Sequence, residues 1–354
     1  MSRFRVYNLC VCGVFVVAGI AAPVASAVML PFYGDLTRIG AHLEEDFGWR
    51  EPQLELPAPH YASAAAYVGH ADVVILGDSF SAPGDPHNWI AHLANATGLS
   101  IVRLNIDLFD IDDVVETEAF RATPPRFVIY QSAERALHDR VGERATRCEP
   151  GPDPTPDPLV LRPLGIRPIA VPPPTQPSFG DYALPFFMAR RSLPRLLMGF
   201  DDPLTRLRQL RRDAPFSSRV RNRLLFFDWD ASVKLTWPGD AAERIACGLL
   251  HRQRLTQANG QTLFIALSTP DKLTAYFDLL EDRSGLPVSH LGEVCATPGL
   301  HVARADLALA QAISAGEVDV YLPNDTHWGS TGHQIAAREL IREMRALGAV
   351  RDPE

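Results

Sequence analysis

Residues 73–81, with the sequence VVILGDSFS, join an apolar run directly to Gly77, Asp78 and Ser79. The run does not alternate with polar residues, which is typical of a strand buried on both faces of a parallel sheet. A serine there lies at the carboxyl end of a strand, where open α/β sheets form their ligand crevice. Gly77 is expected to let the chain turn without a Cβ clash. Asp-Ser before a helix is also a common capping arrangement, so this motif alone is weak evidence for a nucleophile.

Four further apolar segments predict strands of the same kind, and helical patterns separate them. The strands are predicted at residues 72–76, 100–104, 126–130, 262–267 and 318–322. The helices are predicted at residues 88–97, 241–257 and about 331–347. Strands that alternate with helices predict a three-layer α/β/α domain with a parallel sheet, as in flavodoxin-like folds.

The composition is that of a globular protein with a substantial core. The chain has 354 residues, of which 46% are hydrophobic and 21% are charged. This length permits one large domain or two small ones. The net charge of −8 argues against general nucleic-acid binding, which needs a basic surface to displace counterions. We therefore expect no nucleic-acid partner.

The first 27 residues have the features of an export signal. Arg3 and Arg5 form a short positive start, residues 9–22 are apolar or small, and residues 25–27 (ASA) fit the A-x-A cleavage pattern. The apolar run is shorter than the about 20 residues that span a bilayer comfortably. We expect cleavage after Ala27, with an uncleaved anchor as the alternative. Either way the rest of the chain is expected in the periplasm or at the cell surface.

Three cysteines lie beyond the predicted signal, at Cys148, Cys247 and Cys295. An odd number in an oxidising compartment predicts one disulfide and one free thiol, and all three pairings remain open. No two of these cysteines have the spacing of a metal site. The chain also has no glycine-rich nucleotide loop. The sequence thus predicts neither a metal nor a cofactor.

An insertion at about residues 150–240 interrupts the alternation of strands and helices. Residues 150–177 contain eleven prolines, which exclude helix and central strand. Residues 188–223 contain ten arginines among leucines and phenylalanines. We interpret these arginines first as part of a pair of surface helices whose side-chain stems cover apolar neighbours. The alternative is a rim that attracts an anionic polymer, lipid headgroups or a protein partner.

A second motif, residues 322–329 with the sequence LPNDTHWG, precedes the last predicted helix. A serine hydroxyl needs a base near neutral pH, and His327 is of the type that titrates there. The base needs a carboxylate to hold its tautomer and stabilise its cation, and Asp325 is two residues away. In isolation the motif also fits a polar turn with a partly buried histidine. Both strand-end loops together predict a triad of Ser79, His327 and Asp325.

These two motifs resemble those of the SGNH-hydrolase superfamily. Residues 77–79 (GDS) resemble its first block, and residues 325–327 (DTH) resemble its last. Within it, the chain is similar to the polysaccharide O-acetyltransferases of the alginate-acetylation type, which carry an Asp-Thr-His-Trp motif and a Gly-x-Ser-Phe/Tyr-Ser motif. The resemblance covers roughly residues 70–140 and 260–345. Further matches are residues 104–105 (LN), 125–129 (PRFVI), 133–135 (AER) and 270–272 (PDK) with Tyr276.

The chain departs from the family pattern in two respects. In the alginate-type enzymes the Asp-Thr-His-Trp motif usually precedes the serine motif, whereas here it follows, as in SGNH esterases. The Gly-x-Asn-Asp block of those esterases is replaced by residues 130–135 (YQSAER). The resemblance then implies the backbone N–H of Ser79 as oxyanion donor, with Asn105 and Gln131 as further candidates.

Two other residues are candidates for a place at the site. Arg135 is a candidate for substrate binding, although a structural ion pair with Glu134 beneath the site is the favoured role. Trp328, beside the predicted base, either stacks on a sugar ring or packs against the last helix. Core packing is the favoured role for this tryptophan.

The resemblance implies an exported O-acetyltransferase that forms an acyl-serine and needs no metal or cofactor. Residues 28–354 would form one SGNH-like catalytic domain. The acceptor would be a polysaccharide or another hydroxyl compound, and a membrane protein would supply the acyl group. One alternative is a carbohydrate or lipid esterase, which the motif order favours. The other is a non-catalytic polysaccharide-binding or assembly factor that retains the triad residues.

Overall fold

A computed structural model of the chain describes residues 3–28, 32–40, 42–57, 61–63, 67–82, 88–142, 148–155, 157–161, 167–174, 204–212 and 214–351. The helices are α1 (Arg3–Val28), α2 (Asp35–Gly40), α3 (Glu44–Phe47), α4 (Trp89–Thr97), α5 (Ile111–Val115), α6 (Glu118–Ala122), α7 (Glu134–Leu137), α8 (Trp229–Ser232), α9 (Ala241–Gln257), α10 (Lys272–Ala275), α11 (Leu291–Cys295), α12 (Ala305–Ala315) and α13 (Ser330–Ala346). The strands are β1 (Gln53–Glu55), β2 (Tyr61–Ser63), β3 (Val73–Gly77), β4 (Ile101–Asn105), β5 (Phe127–Ala133), β6 (Leu159–Val160), β7 (Ile169–Val171), β8 (Thr205–Gln209), β9 (Arg223–Phe227), β10 (Leu263–Thr269), β11 (Val302–Ala303) and β12 (Val350–Arg351). The strands predicted around residues 73, 101, 127 and 263 and the three predicted helices are thus confirmed.

The central sheet consists of parallel strands in the order β2-β4-β3-β5-β10-β11. Without the three-residue β2, and counted along the chain, the strands take the order 2-1-3-4-5, which is a doubly wound arrangement. The direction of winding reverses between β3 and β5, and a crevice opens there at the carboxyl ends of the strands. Because Ser79 follows directly after β3 and Asp78, the fold places it at this crevice.

Helices cover both faces of the sheet. Successive side chains of a strand point to opposite faces, so a continuous apolar run places apolar side chains on both. In β3, Val73 and Ile75 pack in an apolar cluster with α4, α12 and α13. Val74 and Leu76 pack in a second cluster with α5, α6 and α9. All four side chains are completely buried. Burial on both faces explains why the sequence of this strand lacks polar alternation, and it confirms an α/β fold with a parallel sheet.

The strand predicted at residues 318–322 is wrong. Beyond β10 the sheet continues with β11 instead. Residues 318–322 form an irregular segment in which Asp319 adopts a φ of 53° and accepts hydrogen bonds from Ser217. The backbone N–H of Gly329 donates to the carbonyl of Val320. Buried backbone groups need partners, and here neighbouring loops supply them instead of a sheet strand.

The insertion predicted at about 150–240 is described only in part, with a gap at residues 175–203. From residue 204 onward the chain forms the antiparallel hairpin β8–β9, so the pair of surface helices predicted at residues 188–223 is wrong for the described part that begins at residue 205. The side chains of Leu224 and Phe226 join the main apolar cluster and anchor the hairpin to the domain. Arg206 pairs with Asp228 within this hairpin, so at least one of the arginines serves the local structure.

Helix α1 carries the segment predicted to be an export signal. Its stretch Arg3–Ala21 has a mean hydropathy of 1.9, is long enough to cross a membrane, and is not buried against the rest of the described chain. The apolar segment is therefore longer than the sequence pattern predicted. An apolar helix at this position is compatible with a signal sequence or with a membrane anchor.

The structure selects one of the three open cysteine pairings. Cys148 and Cys247 are bonded, across a sequence separation of 99 residues, and Cys295 is a free thiol. Burial raises the pKa of the Cys295 thiol to about 12, which keeps it protonated and unreactive near neutral pH.

We expect reduction of the Cys148–Cys247 bond to lower the free energy of unfolding by about 2–4 kcal/mol, because the bond closes a long loop in the unfolded chain. Urea unfolding of the wild type and of the double variant Cys148→Ser/Cys247→Ser measures this difference. Cys295→Ser serves as the control. Equal stability of all three proteins would contradict the prediction.

Candidate active site

The turn after β3 presents Ser79 to solvent. Asp78 and Phe80 on either side of it are buried, whereas Ser79 is exposed. The carboxylate of Asp78 accepts hydrogen bonds from the backbone N–H groups of Phe80 (3.0 Å) and Ala133 (2.7 Å). It also pairs with Arg140 at 3.0 Å. Asp78 is therefore the residue that fixes the turn, and Ser79 is the residue that the turn displays.

Gly77 is required by close packing. A Cβ at this position would lie 2.5 Å from the Oγ of Ser81 and 3.2 Å from the Oε1 of Gln131. Its φ is not positive, so the clash arises from neighbouring side chains and not from the backbone conformation. The predicted role of this glycine, avoidance of a Cβ clash, agrees with this geometry.

The side-chain amide of Gln131 is hydrogen-bonded to the turn that carries Ser79. Its Oε1 accepts hydrogen bonds from the N–H of Asp78 (3.1 Å) and the Oγ of Ser81 (2.6 Å). Its Nε2 donates to the Oδ1 of Asp78 (2.9 Å) and the Oγ1 of Thr269 (3.3 Å). Both N–H groups of the amide are used, so Gln131 has no free donor for the oxyanion role predicted for it.

Asn105 lies at the carboxyl end of β4, directly beside Gly77 of β3 in the sheet register. Its Oδ1 accepts a hydrogen bond from the N–H of Asp107 at 3.1 Å, which orients the amide. Within the described residues neither its Nδ2 nor the backbone N–H of Ser79 has an acceptor. These two donors therefore remain available at the serine turn.

The turn before α13 pairs a histidine with a carboxylate. The Nδ1 of His327 lies 2.6 Å from the Oδ1 of Asp325, and that same oxygen accepts a hydrogen bond from the His327 N–H at 2.9 Å. The Nε2 of His327 is buried and has no hydrogen-bond partner in the described part of the chain. Such a geometry holds one imidazole nitrogen and leaves the other for a reacting group.

The charge of Asp325 sets the protonation of His327. Burial by itself lowers the pKa of His327, but the negative charge and the hydrogen bond of Asp325 outweigh it and raise this pKa to about 9. Burial by itself raises the pKa of Asp325, but the charge and hydrogen bond of His327 hold it well below its usual range. Near neutral pH the two groups form an ion pair.

The serine and histidine turns meet through Phe80. Its ring centroid lies 4.8 Å from that of His327 and 4.9 Å from that of Trp328. Because Phe80 follows Ser79 directly, this contact places the two turns side by side. No hydrogen bond joins Ser79 to His327 in this structure. Such bonds are often long in unliganded enzymes and shorten when substrate binds.

Asp35 is a part of the site that the sequence motifs did not indicate. Its carboxylate accepts hydrogen bonds from the N–H (2.8 Å) and the Oγ1 (2.5 Å) of Thr326, and its own N–H donates to Asp325 at 2.9 Å. Burial and the charge of Asp325 raise the pKa of Asp35 to about 6. Asp35 lies 290 residues before Asp325, so no local pattern could have linked them.

The side chain of Lys272 is hydrogen-bonded to the turn that carries His327. Its Nζ donates to the backbone carbonyls of Leu322 (2.7 Å), Pro323 (3.0 Å) and Asp325 (3.0 Å). An ammonium has three N–H donors, so this side chain uses all of them on one turn. Burial lowers the pKa of Lys272 to about 7, against the attraction of Asp325.

The predicted ion pair between Glu134 and Arg135 is wrong. Arg135 instead contacts Asp271 at 2.8 Å and Asp230 at 3.2 Å, and Glu134 contacts Lys234 at 3.1 Å. The three carboxylates and Lys234 are buried beside the start of α7 and α10, and Arg135 is partly buried there. The guanidinium of Arg135 has two carboxylate partners, which favours a structural role over the substrate contact considered for it.

Trp328 is completely buried and belongs to the core. It packs against Phe80, Tyr321 and His333. With no exposed surface it cannot stack on a sugar ring. The packing role predicted for Trp328 is therefore confirmed, and the stacking alternative is wrong.

Asp35, Asp325 and His327 lie close enough together that their ligand atoms could surround a cation. However, the Nδ1 of His327 and the Oδ1 of Asp325 bond to each other, and the Asp35 oxygens accept hydrogen bonds from Thr326. The Nδ1 of His327 and carboxylate oxygens of Asp325 and Asp35 are thus engaged within the protein. The geometry supports a charge-paired base better than a metal site.

Comparison of the chain with protein-family models, with curated proteins and with solved structures yields no match.

For a site in which His327 acts as the base towards an acetyl ester, we expect kcat/KM to rise with pH and to level off above about pH 9, because such a base must be neutral and Asp325 raises the pKa of His327 to about 9. Asp325→Asn removes that charge and should move the midpoint of the pH profile of kcat/KM to a lower pH. The same raised pKa stabilises the fold below about pH 6.5, and this contribution is lost as the pH rises through about 9.

The measurement is a pH profile of initial rates with a chromogenic acetyl ester. Circular dichroism at each pH is the control, because alkaline pH also neutralises Lys272. A wild-type midpoint at or below the ordinary histidine value, or the same midpoint in Asp325→Asn, would contradict the assignment.

Proposed function

We propose that this protein is an exported acyl-transfer enzyme of the SGNH-hydrolase type, which moves an acetyl group to a polysaccharide hydroxyl through an acyl-serine on Ser79. The observation that carries the proposal is the orphaned Nε2 of His327. This nitrogen is buried without a partner, on an imidazole held by Asp325 and in ring contact with the neighbour of the exposed Ser79. This arrangement supports the proposed roles of Ser79 as nucleophile, His327 as base and Asp325 as orienting acid.

The proposed chemistry follows from these positions. The Nε2 of His327 accepts the proton of Ser79 while the Oγ attacks the acyl carbonyl carbon, and Asp325 stabilises the imidazolium. The N–H of Ser79 and the Nδ2 of Asn105 would donate hydrogen bonds to the developing oxyanion. The imidazolium then protonates the departing oxygen and leaves acetyl-Ser79. An acceptor hydroxyl, deprotonated by His327, attacks this ester and regenerates the free serine.

The fold and the motifs support the same class. A doubly wound parallel sheet with the nucleophile after its first central strand and the Asp-His pair near the carboxyl end of the chain agrees with an SGNH-type arrangement. The sequences Gly77-Asp78-Ser79 and Asp325-Thr326-His327 resemble the first and last blocks of that superfamily. The similarity to the alginate-acetylation type favours transfer to a sugar.

An esterase with the same acyl-serine is the second candidate. The order of the motifs, with the serine first and the histidine last, favours it. Water would then replace the sugar hydroxyl in the second step. A non-catalytic polysaccharide-binding or assembly factor is the third candidate, in which no acyl-serine forms.

The proposed setting is the periplasm or the cell surface, because α1 is compatible with an export signal or an anchor. Coenzyme-linked acyl donors are scarce there, so a membrane protein would hand over the acetyl group. The docking surface predicted for that partner or for an anionic polymer spans residues 190–223, and its arginines at residues 190–195 lie outside the described residues.

Mass spectrometry after incubation with 4-nitrophenyl acetate tests the proposal. We expect one acetyl group on the peptide that contains Ser79, and none in Ser79→Ala. Ser284→Ala, which removes another exposed serine, is the matched control. Faster release of nitrophenol with an oligosaccharide acceptor, together with acetylated sugar, supports transfer. Turnover with water alone identifies an esterase. No acylation at all supports the third candidate, a non-catalytic polysaccharide-binding or assembly factor.

A further inference from the structure

The guanidinium of Arg103 is hydrogen-bonded to the backbone of the turn that carries Ser79. Arg103 lies in β4 and is only 8% exposed. Its Nη2 donates buried hydrogen bonds to the carbonyl oxygens of Gly77 (2.7 Å) and Asp78 (2.9 Å). Because Asp78 and Ser79 are consecutive, the carbonyl of Asp78 belongs to the same peptide group as the N–H of Ser79. A buried cation therefore contacts the peptide group that carries the proposed oxyanion donor.

The two polar ends of this peptide group point in opposite directions. A trans peptide is planar, with its C=O and its N–H on opposite sides of the chain. Arg103 binds the carbonyl end, so the N–H of Ser79 points away from the guanidinium. Hydrogen bonds in a chain polarise one another, and a cationic donor at the carbonyl makes the N–H at the other end a stronger donor.

Arg103 also lies beside the second proposed oxyanion donor. Arg103 and Asn105 are two residues apart in β4, so their side chains point to the same face of the sheet. In the sheet register Asn105 is paired with Gly77, whose carbonyl accepts the shorter of the two bonds from Arg103. The positive charge is thus placed behind both proposed donors.

The two carbonyls do not depend on Arg103 alone. The oxygen of Gly77 also accepts a hydrogen bond from the N–H of Ile106 at 3.3 Å, and that of Asp78 accepts one from the N–H of Ser81 at 3.0 Å. A carbonyl oxygen has two lone pairs, so each oxygen can accept both bonds. Loss of the guanidinium therefore removes a positive charge but leaves each carbonyl a backbone partner.

We propose that Arg103 is a positioning residue that strengthens the oxyanion site of the acyl-transfer reaction. This inference rests on the proposed function. When the Oγ of Ser79 bonds to the acyl carbon, an electron pair moves onto the carbonyl oxygen and the Oγ proton passes to His327. The guanidinium stabilises the new negative charge through the peptide that joins Asp78 to Ser79. The neutral ester carries no such charge, so Arg103 acts on the transition state more than on substrate binding.

Inhibition by methylboronic acid tests the proposal. Its boron bonds to the Oγ of Ser79 and becomes a tetrahedral anion that resembles the acetyl-transfer intermediate, while the Oγ proton passes to His327. We expect Arg103→Gln to weaken this inhibition about tenfold, because the anion loses the support of the guanidinium. The rate of acylation by saturating 4-nitrophenyl acetate should fall by a similar factor, and the ester concentration for half-maximal rate should change little.

Three further variants make the result specific. Arg103→Lys keeps the positive charge, so inhibition and acylation should stay within about threefold of the wild type. Arg103→Met removes the charge as Arg103→Gln does, so either neutral variant that circular dichroism shows to be folded carries the test. Arg212→Gln is the matched control, since Arg212 also donates to two backbone carbonyls, those of Ile313 and Ser314, at the end of α12. This control should change neither value.

Two kinds of failure can be told apart. Unchanged inhibition in a folded neutral variant, equal losses in Arg103→Lys and Arg103→Gln, or a change confined to the half-saturating ester concentration would overturn the role of Arg103 alone. Boron NMR detects the tetrahedral adduct, which should be present in the wild type and absent in Ser79→Ala. A wild type that forms no adduct would overturn the proposed function and this inference with it.

Discussion

Ser79→Ala is expected to lower kcat/KM for acetyl-ester turnover by at least about 10³-fold, and His327→Ala by a similar factor. The double variant should lose little more, because a nucleophile without its base and a base without its nucleophile are equally unable to form the acyl-serine. The structure gives His327 a second role as the partner of Asp325, so His327→Ala should also alter stability. Initial rates with a chromogenic acetyl ester measure all three proteins.

Two controls make this result specific. Ser284→Ala should retain full activity, since this serine is exposed on a surface turn. Circular dichroism must show that each variant remains folded at the assay temperature. Modest losses that add up in the double variant would assign Ser79 and His327 to binding rather than to the chemical step.

Lys272→Met is expected to lower the free energy of unfolding by about 3 kcal/mol, because one buried and two partly buried carbonyls lose their donor and each buried loss costs about 1–3 kcal/mol. The affected carbonyls belong to Leu322, Pro323 and Asp325. We also expect a lower kcat with little change in KM, since the turn that presents His327 loses its tether. Urea unfolding and steady-state rates below the unfolding transition measure the two effects.

Tyr276→Phe is the matched control for this prediction. Its hydroxyl accepts one long hydrogen bond, from the N–H of Tyr321 at 3.4 Å, and lies next to the same short helix α10. We expect a small loss of stability and an unchanged kcat in this variant. A Lys272→Met protein as stable and as active as the wild type would show that the three hydrogen bonds do not hold the turn.

Local sequence determined the parts of the fold that depend on local patterns. The run around Val74 predicted a buried strand, and the periodic apolar residues of 241–257 predicted α9 with the same bounds as in the structure. Ser79 and the pair Asp325–His327 were predicted from their positions after apolar runs. Such signals can be read because a strand buried on both faces is a short continuous apolar run, whereas a helix buried on one face repeats its apolar residues at the helical period.

Only the tertiary structure decided which residues surround those motifs. Residues 318–322 are as apolar as a strand, yet they bond to loops, and the sheet ends with β11. Gln131, a predicted oxyanion donor, donates its two amide N–H groups to Asp78 and Thr269 instead. Cys148 pairs with Cys247, and no spacing rule selected that pairing.

The same holds for the supports of the proposed base. Asp35 and Lys272 contact the histidine turn from segments 290 and 53 residues away from Asp325 in the chain. Their side chains find partners there because the fold buries polar groups that must then be satisfied. Such hydrogen bonds form only because the fold brings distant segments together. A local sequence pattern cannot predict which distant segments will be in contact.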